Sequence, residues 1–334
     1  MSPNRVRSLA SQSWLSLSAV LLITLGTPAR SIAQSTAPAR CDESCMSQAL
    51  DKFLNGFKAR NPQQAGLASA ARYSENSIAL PVGQGLWRTI DSIGDYRNAI
   101  FDPQRGEIGL FTSVVENGVP QLLSLRLKLQ GNQVTEVEAL VQRKQASRFI
   151  NTDGLTLKPV WGEVVPPERR ASRERLTEIA NLYFDSLSKG SGEAVPFNDD
   201  VCERFENGIQ TAGVTRVAPP VGVTPSGGSE RRLMRCGQQF DSGSTTYIQS
   251  VTPRHVAAVD ETRGLVFGMF YFQHPGDITT YRNPDGTEHK MPEAAIRPFT
   301  VPAAEVFKVV DDKIVAIEAL AVTVPYGTPS PWGK

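Results

Sequence analysis

The sequence predicts an α+β protein of two similar domains in tandem, each an N-terminal helix packed on a strongly bent antiparallel sheet. The first observation is an internal repeat, in which VTEVEAL at 134–140 reappears as IVAIEAL at 314–320, 180 residues later. The second is a matched pair of segments in the same order, at 101–106 and 259–264. The third is that each half opens with a helical stripe and continues with strand patterns. This order is typical of α+β domains rather than of doubly wound ones.

Residues 1–33 have the pattern of a signal peptide. Two arginines precede an apolar run at 15–25, and a small-residue cleavage pattern follows at 31–33. The apolar run is too short to span a bilayer. We therefore expect export and cleavage near Ala33, with 36–39 as the alternative cleavage segment. The mature chain would be periplasmic or secreted and would carry no membrane span.

The charge balance argues against a nucleic-acid partner. The formal net charge is +1, and the basic residues are dispersed along the chain. A protein that binds nucleic acid or an anionic membrane concentrates its basic residues in a patch. About 300 residues remain after the signal peptide, which is enough for two domains with separate cores.

All four cysteines lie in the exported part of the chain, at Cys41, Cys45, Cys202 and Cys236. An even number in an oxidising compartment predicts two disulfides, for which three pairings exist. We expect Cys41–Cys45 and Cys202–Cys236, each within one domain. The alternative for Cys41 and Cys45 is a metal site, but no histidine lies nearby.

The first domain is expected at 41–150. Its helix carries an apolar stripe from Leu50 to Phe57, and strands are predicted at 109–115, 121–129 and 133–141. An Asn-Gly pair after the first of these strands is a strong hairpin signal.

The second domain is expected at 172–334, after a linker at 151–171. Ser172 is a predicted N-cap for a helix with an apolar stripe from Leu176 to Leu187. Strands are predicted at 264–272, 304–310 and 313–324.

Two loops of the second domain, at 213–231 and 274–300, have no counterpart in the first. Loops of this length often act as lids over active sites, and the alternative is a simple surface excursion.

The closing pattern E-x-F-K-V-x-D-D-K-I-x-x-I-E-A at 305–319 resembles the nuclear-transport-factor-2-like (NTF2-like, or SnoaL-like) α+β cone, here in tandem. More specifically, the chain resembles a family of exported fungal and bacterial proteins with the domain of unknown function DUF8021. The segments that carry this resemblance are GLW at 85–87, CERFENG at 202–208, VDE-x-RG at 259–264, FQHPG at 272–276 and PYGTPSPW at 325–332.

The resemblance implies an apolar cavity between the helices and the concave face of the sheet. Relatives use such a cavity for isomerisation, dehydration, cyclisation or retro-aldol chemistry, and others only bind ligands or partners. Fold alone does not decide among these functions. The Asp-His pair of the SnoaL cyclases is not found at a matching spacing, so their chemistry is not carried over.

His274 is the first candidate for a catalytic base. Strand alternation would place Phe270, Phe272 and His274 on one face, at the rim of an aromatic-lined cavity. A histidine there could take a proton from the carbon next to a carbonyl group. The alternative is a structural histidine that is satisfied by a backbone carbonyl. His255 is a weaker candidate.

Two acidic residues are candidates for the partner acid. Asp260 matches Asp102 in the first half and precedes an Arg-Gly turn, so it equally suits a structural role in that turn. If Glu318 faces the cavity beside Phe307, burial would raise its pKa and suit it to acid or base work. Lys308 would instead keep Glu318 ionised as a structural pair.

Tyr326 and Trp332 belong to a C-terminal tail without a counterpart in the first half. They could cover the cavity mouth as hydrogen-bonding and stacking groups. The alternative is that the tail packs across the interface between the domains.

The motifs of several enzyme classes are missing. The sequence contains no G-x-S-x-G, P-loop or H-E-x-x-H motif, and the acidic cluster ending in His289 lacks the spacing of a zinc site. We therefore expect neither a metal nor a cofactor.

These observations predict an exported lyase or isomerase that works by acid/base chemistry on a small apolar or aromatic compound. His274 would be the base, Asp260, Glu318 or Tyr326 the acid, and the ligand contacts would be Phe270, Phe272, Phe307 and Trp332. The first alternative is a non-catalytic binding protein for a small hydrophobic ligand. A second alternative is a dimerisation or scaffold module. Each of these functions is compatible with a homodimer.

Overall fold

A computed structural model describes residues 41–214 and 233–333, which lie in one compact unit. The predicted signal peptide and most of the predicted loop at 213–231 lie outside these residues. Among the described residues, no helix has both the length and the apolar character needed to cross a bilayer.

The first half of the described chain contains two helices and a six-stranded sheet. The sheet has the order β2-β1-β6-β5-β4-β3. The bounds are α1 Glu43–Lys58, β1 Leu67–Glu75, β2 Ile78–Leu80, α2 Leu86–Thr89, β3 Ile90–Asp102, β4 Glu107–Glu116, β5 Val119–Gln130 and β6 Gln133–Gln142.

The second half contains a second six-stranded sheet, in the order β8-β7-β14-β13-β10-β9. The bounds are α3 Arg173–Leu187, β7 Glu203–Glu206, β8 Ile209–Ala212, α4 Cys236–Asp241, β9 Ser250–Asp260, β10 Leu265–His274, β11 Thr280–Arg282, β12 Glu288–Lys290, β13 Phe299–Val310 and β14 Lys313–Ala321. Strands β11 and β12 form a separate hairpin inside the predicted loop at 274–300.

Both sheets are mixed, whereas the sequence predicted wholly antiparallel ones. Strand β1 pairs in parallel with β6, and β7 pairs in parallel with β14. The first strand after the helix therefore joins the sheet beside its last strand, which is possible because the intervening strands form a long connection.

The pairing register relates the two halves residue by residue. Val137 of β6 pairs with Tyr73, and Ile317 of β14, 180 positions later, pairs with Arg204. The offset of 180 is the one seen in the sequence repeat. For β5 and β6 it identifies the corresponding positions of β13 and β14, and the pairing register extends the correspondence to the neighbouring strands.

Both long helices begin at side-chain caps. The carboxylate of Asp42 accepts a hydrogen bond from the Cys45 amide at 2.9 Å, which starts α1. Ser172 was the predicted cap of α3, and its hydroxyl accepts from the Arg175 amide at 3.2 Å. The predicted cap is confirmed, and it satisfies an amide that the helix itself leaves unpaired.

Three apolar cores hold these layers together. One lies between α1 and the first sheet, and a second lies between α3 and the second sheet. The third lies between the two sheets, where the Phe111 and Phe267 rings meet edge to face at 5.7 Å. Gly109 permits this approach, because a Cβ atom there would lie 2.3 Å from the Phe267 ring. Each sheet is consequently covered on both faces.

The predicted disulfides Cys41–Cys45 and Cys202–Cys236 are confirmed. They indicate an oxidising environment.

Removing the longer crosslink should cost more stability than removing the shorter one. The Cys202–Cys236 bond spans 34 residues and Cys41–Cys45 spans 4. Replacing both cysteines of a pair by serine is expected to lower the free energy of unfolding by about 4 kcal/mol for the long loop and about 2 kcal/mol for the short one. Denaturant unfolding of the two double variants measures the difference, and equal losses would contradict the loop-length argument.

Candidate functional site

A cluster of polar side chains lies inside the second helix–sheet core. Glu305 comes from β13, Arg204 and Glu206 from β7, and Tyr183 from α3. Glu305 projects into the core because strand side chains alternate, and its neighbours Ala303 and Phe307 belong to that core. The relative exposures of Glu305 and Arg204 are only 1% and 8%, so this polar group is enclosed by apolar residues.

Arg204 links the helix to the sheet within this cluster. Its Nε donates to the Tyr183 hydroxyl oxygen at 2.8 Å, and its Nη1 donates to Glu206 Oε2 at 2.8 Å. Because Arg204 supplies the proton of the first bond, Tyr183 keeps its own hydroxyl hydrogen for another acceptor. The arrangement thus offers an oriented hydrogen-bond donor in an apolar interior.

Glu305 is the unusual member of the cluster. Its Oε2 has no hydrogen-bond partner among the described residues. Burial raises the pKa of Glu305 to about 8, although the Arg204 charge acts in the opposite direction. The carboxyl group is therefore mainly protonated at neutral pH and can either give or receive a proton there.

The two positions of the first half that correspond to Glu305 and its pairing partner are apolar. Glu305 pairs with Gly268 on β10. In the first sheet the residue 180 positions before Glu305 is Leu125, and Leu125 pairs with Leu110. A buried pair of leucines is thus replaced by a carboxyl group and a residue without a side chain. The first core keeps polar residues at the β1 positions that match Arg204 and Glu206, where the Tyr73 hydroxyl donates to Glu75 at 2.8 Å, so the difference is that of the Glu305 and Gly268 positions.

Gly268 leaves space that an aromatic ring occupies. A Cβ atom at this position would lie 2.4 Å from Cζ of Phe270 and 2.5 Å from the carbonyl oxygen of His255. The Phe270 ring also packs on Phe184, with 4.0 Å between the ring centroids. The glycine therefore lets Phe270 fold back over the strand beside Glu305.

The three predicted ligand contacts on strands lie in this same core. Phe270, Phe272 and Phe307 all meet the ring of Phe184, at centroid distances of 4.0, 5.9 and 5.7 Å. They pack together as core residues around the polar cluster.

His274 lies away from the cluster. Its ring stacks on Phe299 at 4.1 Å and lies 5.1 Å from the Tyr247 ring. Burial lowers its pKa to about 4, against a smaller opposing effect of the Phe272 and Phe299 backbones, so the ring is neutral. Six residues separate His274 from Gly268 along β10, or roughly 20 Å of strand. The structure thus does not bring His274 to Glu305.

Glu318 faces the first sheet rather than the second core, so the condition for its acid/base role, a place in the cavity beside Phe307, is not met. Its carboxylate accepts from the Tyr96 hydroxyl at 2.5 Å and from Asn98 Nδ2 at 2.8 Å, and burial raises its pKa. The suggested pair with Lys308 does not form, because the Lys308 Nζ donates to the Glu163 carbonyl at 2.6 Å.

Asp260 bonds its own turn. Its carboxylate accepts from the Arg263 amide at 3.0 Å and from Arg263 Nε at 2.5 Å. The matched Asp102 accepts from the Arg105 amide at 3.0 Å. The repeated aspartate therefore has the same local contact in both halves, which is the structural alternative raised by the sequence.

The Trp332 end of the C-terminal tail packs on the first half, which is the second of the two placements that the sequence left open. The Trp332 indole N–H donates to Ser74 at 2.9 Å, and its ring lies 4.5 and 4.8 Å from the guanidinium groups of Arg72 and Arg126. Tyr326 is half-exposed. This is the alternative in which the tail crosses between the two halves.

The sequence reasoning missed Glu305, Arg204 and Tyr183 as a group. Arg204 lies in the CERFENG segment and Glu305 begins the E-x-F-K-V pattern, so both were among the residues that carry the family resemblance. The usable signal was a charged residue at an inward position of an apolar strand, since such a residue is buried only with a partner or a function.

Residues 169–321 match the sequence profile of the family described as "Domain of unknown function (DUF8021)". The predicted resemblance is therefore confirmed for this part of the chain. No curated protein matches the sequence.

Several solved structures show a low structural similarity to the chain. An NTF2-like protein of unknown function from Cytophaga hutchinsonii is 10% identical, with 30% of this chain and 92% of that chain covered and a TM-score of 0.26. AusH from Aspergillus nidulans is 12% identical, with coverages of 36% and 92% and a TM-score of 0.26. A hypothetical protein with a ketosteroid isomerase-like fold from Catenulispora acidiphila, in complex with trimethylamine, is 10% identical, with coverages of 28% and 83% and a TM-score of 0.23. Similarity at this level carries no function to this chain.

Proposed function

We propose that this chain, whose residues 169–321 match DUF8021, is an exported enzyme with two tandem NTF2-like cones. The first cone would span 41–150 and the second 172–334. The second would act as a cofactor-free acid/base lyase or isomerase on a small apolar or aromatic compound. The observation that supports this proposal best is the Glu305 carboxyl group, which is buried with one oxygen unpartnered within the described part of the chain, where the first half has a leucine.

Glu305 suits the role of proton carrier. A pKa of about 8 lies close to neutral pH, where a group is most effective as both acid and base. In the proposed reaction the ionised carboxylate takes a proton from the carbon next to a substrate carbonyl. The protonated Glu305 then returns the proton to another carbon in an isomerisation, or gives it to the departing group in a lyase reaction. The positive charge of Arg204 stabilises the ionised carboxylate before the first step and again after the proton has left.

Tyr183 would stabilise the negative charge that develops on the substrate oxygen. Its hydroxyl oxygen already accepts from Arg204 at 2.8 Å, which leaves its hydrogen free and makes it a stronger donor. A donor held in place in an apolar interior stabilises a developing oxyanion well, because it does not reorient during the reaction.

This proposal moves the predicted acid/base role from His274 to Glu305. His274 lies between aromatic rings, and its pKa of about 4 makes it a weak base. Phe270, Phe272 and Phe307 keep their predicted role as apolar contacts. Because the Phe270 ring fills the space beside Gly268, a substrate would enter by displacing that ring.

The test compares the mature protein with three variants in a pooled metabolite extract, followed by untargeted mass spectrometry. Glu305→Gln keeps the shape of the side chain and removes its ionisation. Glu318→Gln is the matched control, since it alters a glutamate of the same sheet that faces away from the second core. His274→Ala tests the original candidate base.

We expect wild type, Glu318→Gln and His274→Ala to consume the same compound. Glu305→Gln should lose at least about 100-fold in rate, the usual contribution of general acid–base catalysis. Undiminished turnover by Glu305→Gln would contradict the assignment. A compound retained by every protein with unchanged mass would instead establish the non-catalytic binding protein.

A further inference from the structure

A cavity of about 250 Å³ lies at the junction of the two halves. Asn98 and Arg97 on β3, the edge strand of the first sheet, form one side, and Arg263 in the turn between β9 and β10 forms another. Leu157 and Trp161, from the segment between the halves, complete the wall. The cavity therefore depends on residues from both halves.

The cavity wall carries positive charge from two arginines. No acidic side chain is among the described residues that line it. Asp51 binds Arg97 through Nη1 at 2.6 Å, and Asp260 binds Arg263 through Nε at 2.5 Å. These bonds fix both guanidinium groups but use only some of the five N–H donors that each group carries. Donors therefore remain that can bind an anionic group in the cavity.

The rest of the wall is apolar and partly aromatic. Trp161 is buried, Phe101 is partly buried, and Leu157 is 46% exposed although it is a large apolar residue. An apolar cavity of about 150 Å³ holds one benzene molecule. A volume of about 250 Å³ thus accommodates one ring with a small substituent.

We propose that this cavity binds a monocyclic aromatic carboxylate. The ring would contact Phe101 and Trp161, and the carboxylate would bind Arg97 and Arg263, whose planar donor groups match its two oxygens. The site is separate from Glu305, so the proposal does not rest on the proposed function. Because Arg263 also donates to the Ala99 carbonyl of β3 at 3.1 Å, ligand binding would reinforce an existing contact between the halves.

Benzoate and benzamide are suitable probes, because they have nearly the same shape and differ in charge. Each is titrated into the full mature protein by isothermal calorimetry. The variant Arg97→Gln removes one guanidinium of the cavity. Arg60→Gln is the matched control, since Arg60 is also a partly exposed arginine of the first half that binds an aspartate, Asp91, and it does not line the cavity.

We expect benzoate to bind at least about tenfold more tightly than benzamide, and Arg97→Gln to weaken benzoate binding by about tenfold. Arg60→Gln should bind benzoate like the wild type. Thermal unfolding confirms that both variants are folded. Equal binding of the two probes, an unchanged affinity in Arg97→Gln, or no benzoate binding at millimolar concentration would each overturn the proposal.

Discussion

Glu305→Gln is expected to raise the free energy of unfolding by about 3 kcal/mol at pH 7 and by about 5 kcal/mol above pH 8. The reason is the pKa of Glu305, which burial raises from 4.5 to about 8 in the folded protein. Below pH 4.5 the group is protonated in both the folded and unfolded states, so it imposes no penalty. Between pH 4.5 and 8 the unfolded chain releases the proton while the folded protein retains it. Stability therefore falls with rising pH across this window.

The measurement is the difference in unfolding free energy between Glu305→Gln and wild type, followed from pH 4 to pH 9 by denaturant titration. The other titrating groups are common to both proteins, so the difference isolates Glu305. It should be near zero at pH 4 and should grow with pH up to about 8. Glu178→Gln, on an exposed part of α3, is the control for the effect of the same substitution outside the core. A flat difference for Glu305→Gln would show that this carboxyl group is not held protonated.

Together with the turnover assay, this result separates two explanations of the buried carboxyl group. A variant that is more stable but inactive would show that stability is sacrificed at this position for catalysis, as is common at active sites. A variant that is more stable and still active would mean that Glu305 is a tolerated defect of the core. The same substitution therefore tests both the energy and the role of the group.

The elements that the sequence predicted well are those with a local pattern. The stripes of α1 and α3, the cap at Ser172 and the strands from β4 to β6 each follow from periodicity or turn residues. The parallel pairing of β1 with β6 was not predictable in this way, because periodicity does not identify a strand's neighbour.

The face of the sheet on which Glu318 lies was left open for a different physical reason. Both faces of the second sheet are buried, one by α3 and one by the first sheet. Alternation along β14 then separates two sets of side chains but does not tell which set meets the helix. Glu305 was overlooked for the same reason, since its strand is apolar on both faces and only the fold shows that Tyr183 and Arg204 converge on it.

Arg126→Val is expected to lower the free energy of unfolding by about 3–5 kcal/mol, since it removes the cation of a buried ionic cluster. Arg126 is 1% exposed, its Nε donates to Glu138 at 2.8 Å, and its Nη2 donates to Glu136 at 2.9 Å. Its Nη1 lies 3.6 Å from Glu107. Burial raises the pKa of Glu107 and Glu138 even with Arg126 present. Without Arg126 these two carboxyl groups would lose their main counter-charge.

The repeat supplies the compensating variant, because the second half carries Val306 and Leu265 at the positions of Arg126 and Glu107. We expect the triple variant Arg126→Val, Glu107→Leu, Glu138→Gln to recover most of the stability that Arg126→Val loses. An apolar replacement of a whole buried ionic group is often neutral, whereas removal of one partner is not. Chemical denaturation of both variants at pH 7 gives the comparison. If the triple variant is as unstable as Arg126→Val, the cost lies in lost packing of the Arg126 side chain, including its contact with Trp332, rather than in uncompensated charge.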